Sequence, residues 1–331
     1  MILTEFLHSY LAAYLIWIGL TLGAFAVLMI HGLTGGDWGK TVRPVLIPVL
    51  QTLPLMAVLF IPIYLNLKQL YPWAHGEELS GNKILYLNSH FFLVRTVIYF
   101  LIWAALAYAI QYFKSYRNLL SGLGLVFYGL TVTFASIDWA MSLEPEWYST
   151  IYGLMFMIGQ VLSAFAFSIC ALYFLNLHPA SAHGHHPDPL HDLGNLLLAF
   201  VMLWAYLCFC QFFIIWSGNL PEEIVWYQIR LKGGWQCISI LLLVFHFFLP
   251  FFLLLARNSK RKAAALTKIA IMIFFMRFMD GIWLVEPAFH PAHIQIPWID
   301  ALVMLGMGGI WLTYFKWRFT VFSKSEKVLA A

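Results

Sequence analysis

Only 10% of the 331 residues are charged and 62% are hydrophobic, with a mean hydropathy of +0.80; a soluble domain carries about 25% charged side chains. That excludes a soluble globular domain, and a β-barrel is excluded because its strands alternate apolar and polar residues, whereas these runs are apolar all round. A net charge of +4 is too small for a nucleic-acid footprint, so the sequence points to an all-α integral membrane protein whose surroundings are lipid and no nucleic acid.

A helix needs about 20 apolar residues to cross a hydrocarbon core of about 30 Å. Nine runs meet that length, at 9–31, 43–66, 89–113, 119–139, 148–176, 193–217, 235–256, 265–285 and 297–319. The first is too long for a signal-peptide core and has no basic start, so it reads as a retained helix. The second contains Pro44, Pro48, Pro54 and Pro62, which predicts a kinked or loosened helix. Cys170, Cys208, Cys210 and Cys237 fall inside apolar runs with no C-x-x-C spacing. They read as small hydrophobes, and no Fe–S, zinc or c-type haem signature is present. His31, His90 and His246 lie at three different depths, so no pair matches the axial ligands of a haem b. The stretch 178–191 carries His178, His183, His185, His186 and His191; its spacing is diagnostic of no metal, and no metal ligand is assigned.

Nine spans put the termini on opposite sides. Thirteen of the nineteen Lys and Arg fall on one side, among them Lys40, Arg43, Lys114, Arg117, Arg257, Lys260, Arg261 and Lys262; Lys68, Lys83, Arg230 and Lys232 fall on the other. The richer side is cytoplasmic by the positive-inside rule. The C-terminus is then cytoplasmic and the N-terminus periplasmic. Arg95 and Arg277 lie within spans.

Residues 138–145 read D-W-A-M-S-L-E-P and residues 280–287 read D-G-I-W-L-V-E-P, 142 positions apart. Shifting the chain by 142 lays the third, fourth and fifth spans on the seventh, eighth and ninth. This predicts two tandem four-helix bundles, 43–176 and 193–320, in parallel orientation. One N-terminal helix with its loop (1–42) precedes them, a His-rich linker (177–192) joins them, and a tail (321–331) follows.

Ionisable residues within spans are functional candidates by default. Here they gather in the outer third of the bilayer. The first group is Arg95, Asp138, Glu144 and Glu146; the second is Arg277, Asp280 and Glu286; His90 and Asp300 lie at the same depth. Asp138 has no opposite charge at i±3 or i±4, so its expected partner is Arg95 on the neighbouring helix. Such a carboxylate can take a proton from a bound substrate and pass it outward through Glu144 and Glu146; the plainer reading makes the two glutamates solvated loop acids. Arg277 and Asp280 are i,i+3 neighbours that pair along one face, either as a structural pair or as part of a site. Trp139, Trp147, Tyr148, Trp226, Trp235 and Trp298 fit an aromatic belt. Trp139 and Trp147, with His90, are also candidates for walling a quinone headgroup, which is flat and apolar with two polar oxygens.

The stretch F-A-S-I-D-W-A-M-S-L-E-P-E-W-Y-S-T-I-Y-G (134–153) resembles the NrfD-like membrane subunits of bacterial alternative complex III, the smaller of the two in particular. So do H-G-L-T-G-G-D-W-G (31–39), T-L-P-L-M-A-V-L-F-I-P (52–62), F-F-L-V-R-T-V-I-Y-F (91–100), F-V-M-L-W-A-Y-L (200–207) and I-I-W-S-G-N-L-P-E-E-I-V-W-Y (214–227). The resemblance implies two four-helix bundles in a bacterial cytoplasmic membrane. It implies a subunit of a quinol:cytochrome c oxidoreductase, without haem or Fe–S cluster of its own. The implied partners are a larger NrfD-like membrane subunit, an Fe–S/molybdopterin-like protein, and multihaem and monohaem cytochrome c subunits. It also implies a quinone site or proton path on the outer side, with Asp138, Glu144, Glu146 and Arg95 of the F-L-V-R motif as its residues. Members of that family carry a further helix ahead of the first span found here. Two other readings stay open: a standalone secondary transporter, which predicts charge near the bilayer midplane, and a purely structural membrane anchor.

Overall fold

A backbone in lipid must satisfy its own hydrogen bonds, and an apolar segment does so as a helix. In the computed structural model, which describes residues 2–75, 83–177, 189–295 and 298–330, every regular element is helical. The His-rich segment 178–188 lies outside the described residues. Helix α1 spans Ile2–Thr34. The proline-rich run breaks into α2 (Asp37–Leu50), α3 (Leu53–Leu59), α4 (Ile61–Leu65) and α5 (Leu67–Leu70). Pro54 and Pro62 sit in the first turns of α3 and α4, where a missing N–H does no harm. Then come the short α6 (Lys83–Tyr86), α7 (Ser89–Tyr112), α8 (Arg117–Trp139), α9 (Tyr152–Phe174), α10 (Pro189–Gly218) and α11 (Pro221–Arg230). A further span is built from α12 (Trp235–Leu241), a π segment (Leu242–Phe248) and α13 (Leu249–Leu255). Pro250 has no N–H to offer the carbonyl four residues back, which accounts for the widened turn. The chain ends with α14 (Arg257–Arg261), α15 (Ala263–Phe289) and α16 (Trp298–Ala330).

Eight of these segments, counting α2–α4 and α12–α13 as one each, are long and apolar enough to cross a membrane. The chain is a multi-pass membrane protein. The span expected at 265–285 is a 27-residue helix, α15, about 40 Å long at 1.5 Å per residue. Every 18-residue window of it carries three of Lys268, Arg277, Asp280 and Glu286. Its charge is held by protein, for α15 packs on α9 and α1.

The innermost helices are α1 and α9: 89% and 83% of their most apolar stretches are buried, against 28% in α10 and in α12–α13. The outer helices present large apolar side chains outward, such as Leu101, Phe209 and Leu305, as lipid contact demands. Around α1 pack α2, α3 and α8, with α7 against α8. Around α9 pack α10 and α15, with the π segment and α12 against α15 and α13 against α10. The contact of α1 with α9 joins the two sets, and α16 lies on α1 and α2. The expected bundles left the first helix as an addition and placed the last beside the second set. The packing moves both: α1 is central because both sets bury against it.

Small residues permit that close approach. A Cβ on Gly23 of α1 would lie 1.9 Å from the carbonyl oxygen of Gln160 on α9, and one on Gly159 would lie 2.2 Å from Nη2 of Arg277. Gly23→Ala is therefore expected to destabilise the protein by about 1–3 kcal/mol, read as a lower melting temperature in mild detergent. Gly129→Ala, where a Cβ meets nothing within 4 Å, is the matched control and does not lower it.

Candidate functional site

The polar residues gather where α1 begins and α8 and α15 end. Asn88 caps α7, accepting the N–H of Phe91 on its side-chain oxygen at 2.8 Å, and so fixes the turn that carries Arg95. The guanidinium of Arg95 reaches α8 and grips Asp138 with two parallel bonds, Nε to Oδ2 and Nη2 to Oδ1, both 2.9 Å. Tyr99 donates to Oδ2 at 2.7 Å, and Nη1 of Arg95 donates to the Tyr86 carbonyl at 3.0 Å. The Tyr86 ring lies 3.8 Å from the guanidinium carbon and the Phe91 ring 4.3 Å. Burial, with the Asp138 carboxylate beside it, holds the Tyr86 phenol above its ordinary range. Asp138 has no exposed surface, and three donors take its two oxygens.

A second guanidinium stands at the end of α11. Arg230, fully buried, donates to Glu144 Oε2 at 3.0 Å and to the carbonyls of Trp226, Trp283 and Leu284 at 3.0–3.2 Å. The Trp226 ring covers it at 3.7 Å, and Trp147 stacks on Trp226 with centroids 4.7 Å apart. Burial also raises the phenol of Tyr227, whose ring meets Trp226 edge-on. Glu146 points outward, 73% exposed, and meets Lys83 at 3.1 Å. These contacts draw no chain from Asp138 through Glu144 to Glu146: each acid has a cation of its own.

Deeper in α15, Arg277 pairs with Asp280 and donates from Nε to Ser163 at 3.3 Å. It lines a cavity of about 30 Å³ with Gln160, Gly19 and Gly281, and Gln160 accepts from Tyr128 at 2.8 Å. Glu286 belongs elsewhere, near His290, Glu5 and Asp300. The group expected from Arg277, Asp280 and Glu286 is therefore two groups.

The aromatic residues are mostly inside the protein. Trp139, Trp147, Trp226 and Trp235 are buried, while Tyr148 and Trp298 are exposed. Two of them turn inward to acceptors, Trp139 donating to Thr96 at 3.3 Å and Trp235 to the His290 carbonyl at 3.0 Å, while Trp147 and Trp226 are held by stacking on each other. His90 is exposed in the first turn of α7. Next to Trp139 a groove of about 420 Å³ runs between α3–α4 and α7, lined by Phe60, Tyr64, Thr96, Val97, Phe100 and Ala104 among others. Trp139 packs against its Phe60 and Phe100 walls, at 5.1 and 6.1 Å. A smaller hollow of about 300 Å³, beside Tyr86, Ser142, Trp147 and Tyr148, lies near the same helix ends.

Arg95 and Asp138 thus meet as expected, whereas Arg230, read from sequence only as a loop cation, is the fully buried partner of Glu144. No protein-family description and no curated protein matches the chain.

Removing one partner of a buried pair leaves the other charge uncompensated, at about 3–5 kcal/mol. Asp138→Asn is expected to lower stability by that order, read as a fall in melting temperature and in the yield of monodisperse protein. Glu146→Gln, at an exposed pair, leaves both unchanged.

Proposed function

We propose that the chain is an integral membrane subunit of a quinol-oxidising respiratory complex of the alternative complex III kind, in a bacterial cytoplasmic membrane. The Lys and Arg asymmetry orients it with the C-terminus cytoplasmic and the N-terminus periplasmic. The reading rests on the resemblance of the acidic motif and its companions, and the groove beside Trp139 supports it. At about 420 Å³ it falls within the usual range of small-molecule pockets, about 300–1,000 Å³. Its walls are apolar, and Thr96 and Tyr64 are the hydroxyl-bearing residues of its lining, the combination that a quinone ring with two oxygens asks of a site.

In this reading the Arg95–Asp138–Tyr99 network is the rigid wall behind the groove. It leaves no free carboxylate oxygen for a substrate hydroxyl, and it locks α7 to α8 so that Thr96 and Trp139 keep their places. Quinol oxidation releases two electrons and two protons. The electrons leave through partner subunits, a larger NrfD-like membrane protein, an Fe–S protein and c-type cytochromes, which dock where α11 and the loop after the first D-x5-E-P segment face.

The test is purification from native membranes through a C-terminal tag, with mass spectrometry and a haem-stained gel. The expected result is co-purification with a multihaem c-type cytochrome, a large Fe–S protein and a second NrfD-like subunit. A colourless single protein in mild detergent contradicts the proposal.

A further inference from the structure

Three buried polar atoms are left without partners on the ends of α1, α15 and α16 that lie near one another. Glu286, in the last turn of α15, is 1% exposed, and its Oε1 has no hydrogen-bond partner among the described residues. Asp300, in the first turn of α16, is 2% exposed; Ser9 of α1 donates to its Oδ1, while Oδ2 has no partner. His8 of α1 stacks on Phe289 at 3.7 Å and faces the Gln69 carbonyl, and its Nδ1 is likewise unpartnered. His290 joins them. Its Nε2 lies 4.0 Å from Glu286 Oε2 and 3.8 Å from Glu5 Oε2.

The neighbouring cations are engaged elsewhere. Arg230 of α11 faces Glu144 and three carbonyls, and Arg277 faces Asp280 and Ser163. Among the described residues no Lys or Arg pairs with Glu286, Asp300 or Glu5. Of the other titratable groups on helices that pack against α15, Tyr152 of α9 faces Arg230, Glu144 and Asp280, Cys208 of α10 faces Arg277 and Asp280, and His246 of the π segment faces Arg277. Two carboxylates buried together without a cation cannot both stay ionised at tolerable cost. A carboxylic acid, unlike a carboxylate, has an O–H to donate to the facing acceptor.

We propose that Glu286 and Asp300 form a proton-holding site, with His290 and Glu5 as its path to the surface. The side chains become more exposed in that order, from 1% at Glu286 to 12% at His290 and 32% at Glu5. Small rotations bring both gaps to hydrogen-bond length. The proton moves from the Glu286 carboxyl to Nε2 of His290, leaving a carboxylate beside an imidazolium, and then from the imidazolium to Glu5 or surface water. The ligand is a proton rather than a metal ion. A hard cation takes six or more oxygens, and the described residues bring no three His, Cys, Asp or Glu together in a metal-binding arrangement. The site stands apart from the quinone groove and is independent of the quinol reading, since it is measured without substrate.

The experiment is infrared difference spectroscopy of the full chain, with any subunits that purify with it, in lipid vesicles across a pH series. The expected result is a protonated-carboxyl C=O stretch at neutral pH that disappears as pH is raised and is missing from Glu286→Gln. If that variant fails to fold, Asp300→Asn gives the same comparison at the other acid. In His290→Gln the band persists but exchanges more slowly in D2O. The proposal is overturned if no such band distinguishes the wild type from the variants at any pH. It is also overturned if sodium or calcium abolishes the band at neutral pH, or if His290→Gln exchanges at the wild-type rate.

Discussion

A charge buried in an apolar bundle needs a partner, and the guanidinium–carboxylate pairs supply the order on which the helix ends depend. The bidentate grip of Arg95 on Asp138 sets α7 against α8 in one register, because a planar fork accepts a carboxylate in few geometries. Arg230 does the same over a longer reach. It ties α11 to Glu144 and to the carbonyls of α15, so that the loops between helices become part of the packed interior. Lipid-facing helices gain no hydrophobic force toward one another. Polar clamps and glycine contacts such as Gly23 on Gln160 therefore carry much of what a soluble core would do by burial.

Against that background the carboxylates divide into two kinds. Asp138, Glu144 and Asp280 each sit against an arginine, and Glu146 against a lysine. Glu286 and Asp300 have no such neighbour among the described residues and keep oxygens unbonded. The first kind holds helices together. The second kind is costly as ions, which is what fits a group for gaining and losing a proton. In the proposed complex, protons released by quinol have to reach water, and in that reading the second kind lies at the outer end of the bundle.

Much of this was legible in the sequence. The apolar runs located every long helix, and of the four prolines Pro54 and Pro62 foretold breaks in the run from α2 to α5, while Pro44 and Pro48 lie inside α2. Asp138 lacked an opposite charge at i±3 and i±4, which left Arg95 on the next helix as its partner. The place of α1 was not legible, because hydropathy scores a lipid-facing and a protein-facing helix alike. The pairing of Glu144 with Arg230 spans 86 residues, and no local period reports it. The tryptophans misled for a related reason: a ring at the depth of an aromatic belt has the same sequence position whether it faces lipid or turns inward to a carbonyl. Glu286 was grouped with Asp280 by the D-x5-E-P repeat. Six residues at about 100° each place the two about 120° apart around the helix, so helical geometry alone argued that they serve different groups.

The central claim is that paired acids hold the fold and unpaired acids hold protons. The measurement that tests it most directly is the melting temperature of Glu286→Gln beside that of Glu144→Gln, in the same detergent at neutral pH. The account predicts a clear fall for Glu144→Gln, which strands the buried Arg230, and no fall for Glu286→Gln, which replaces an acid by its neutral isostere. An equal fall in both would contradict it.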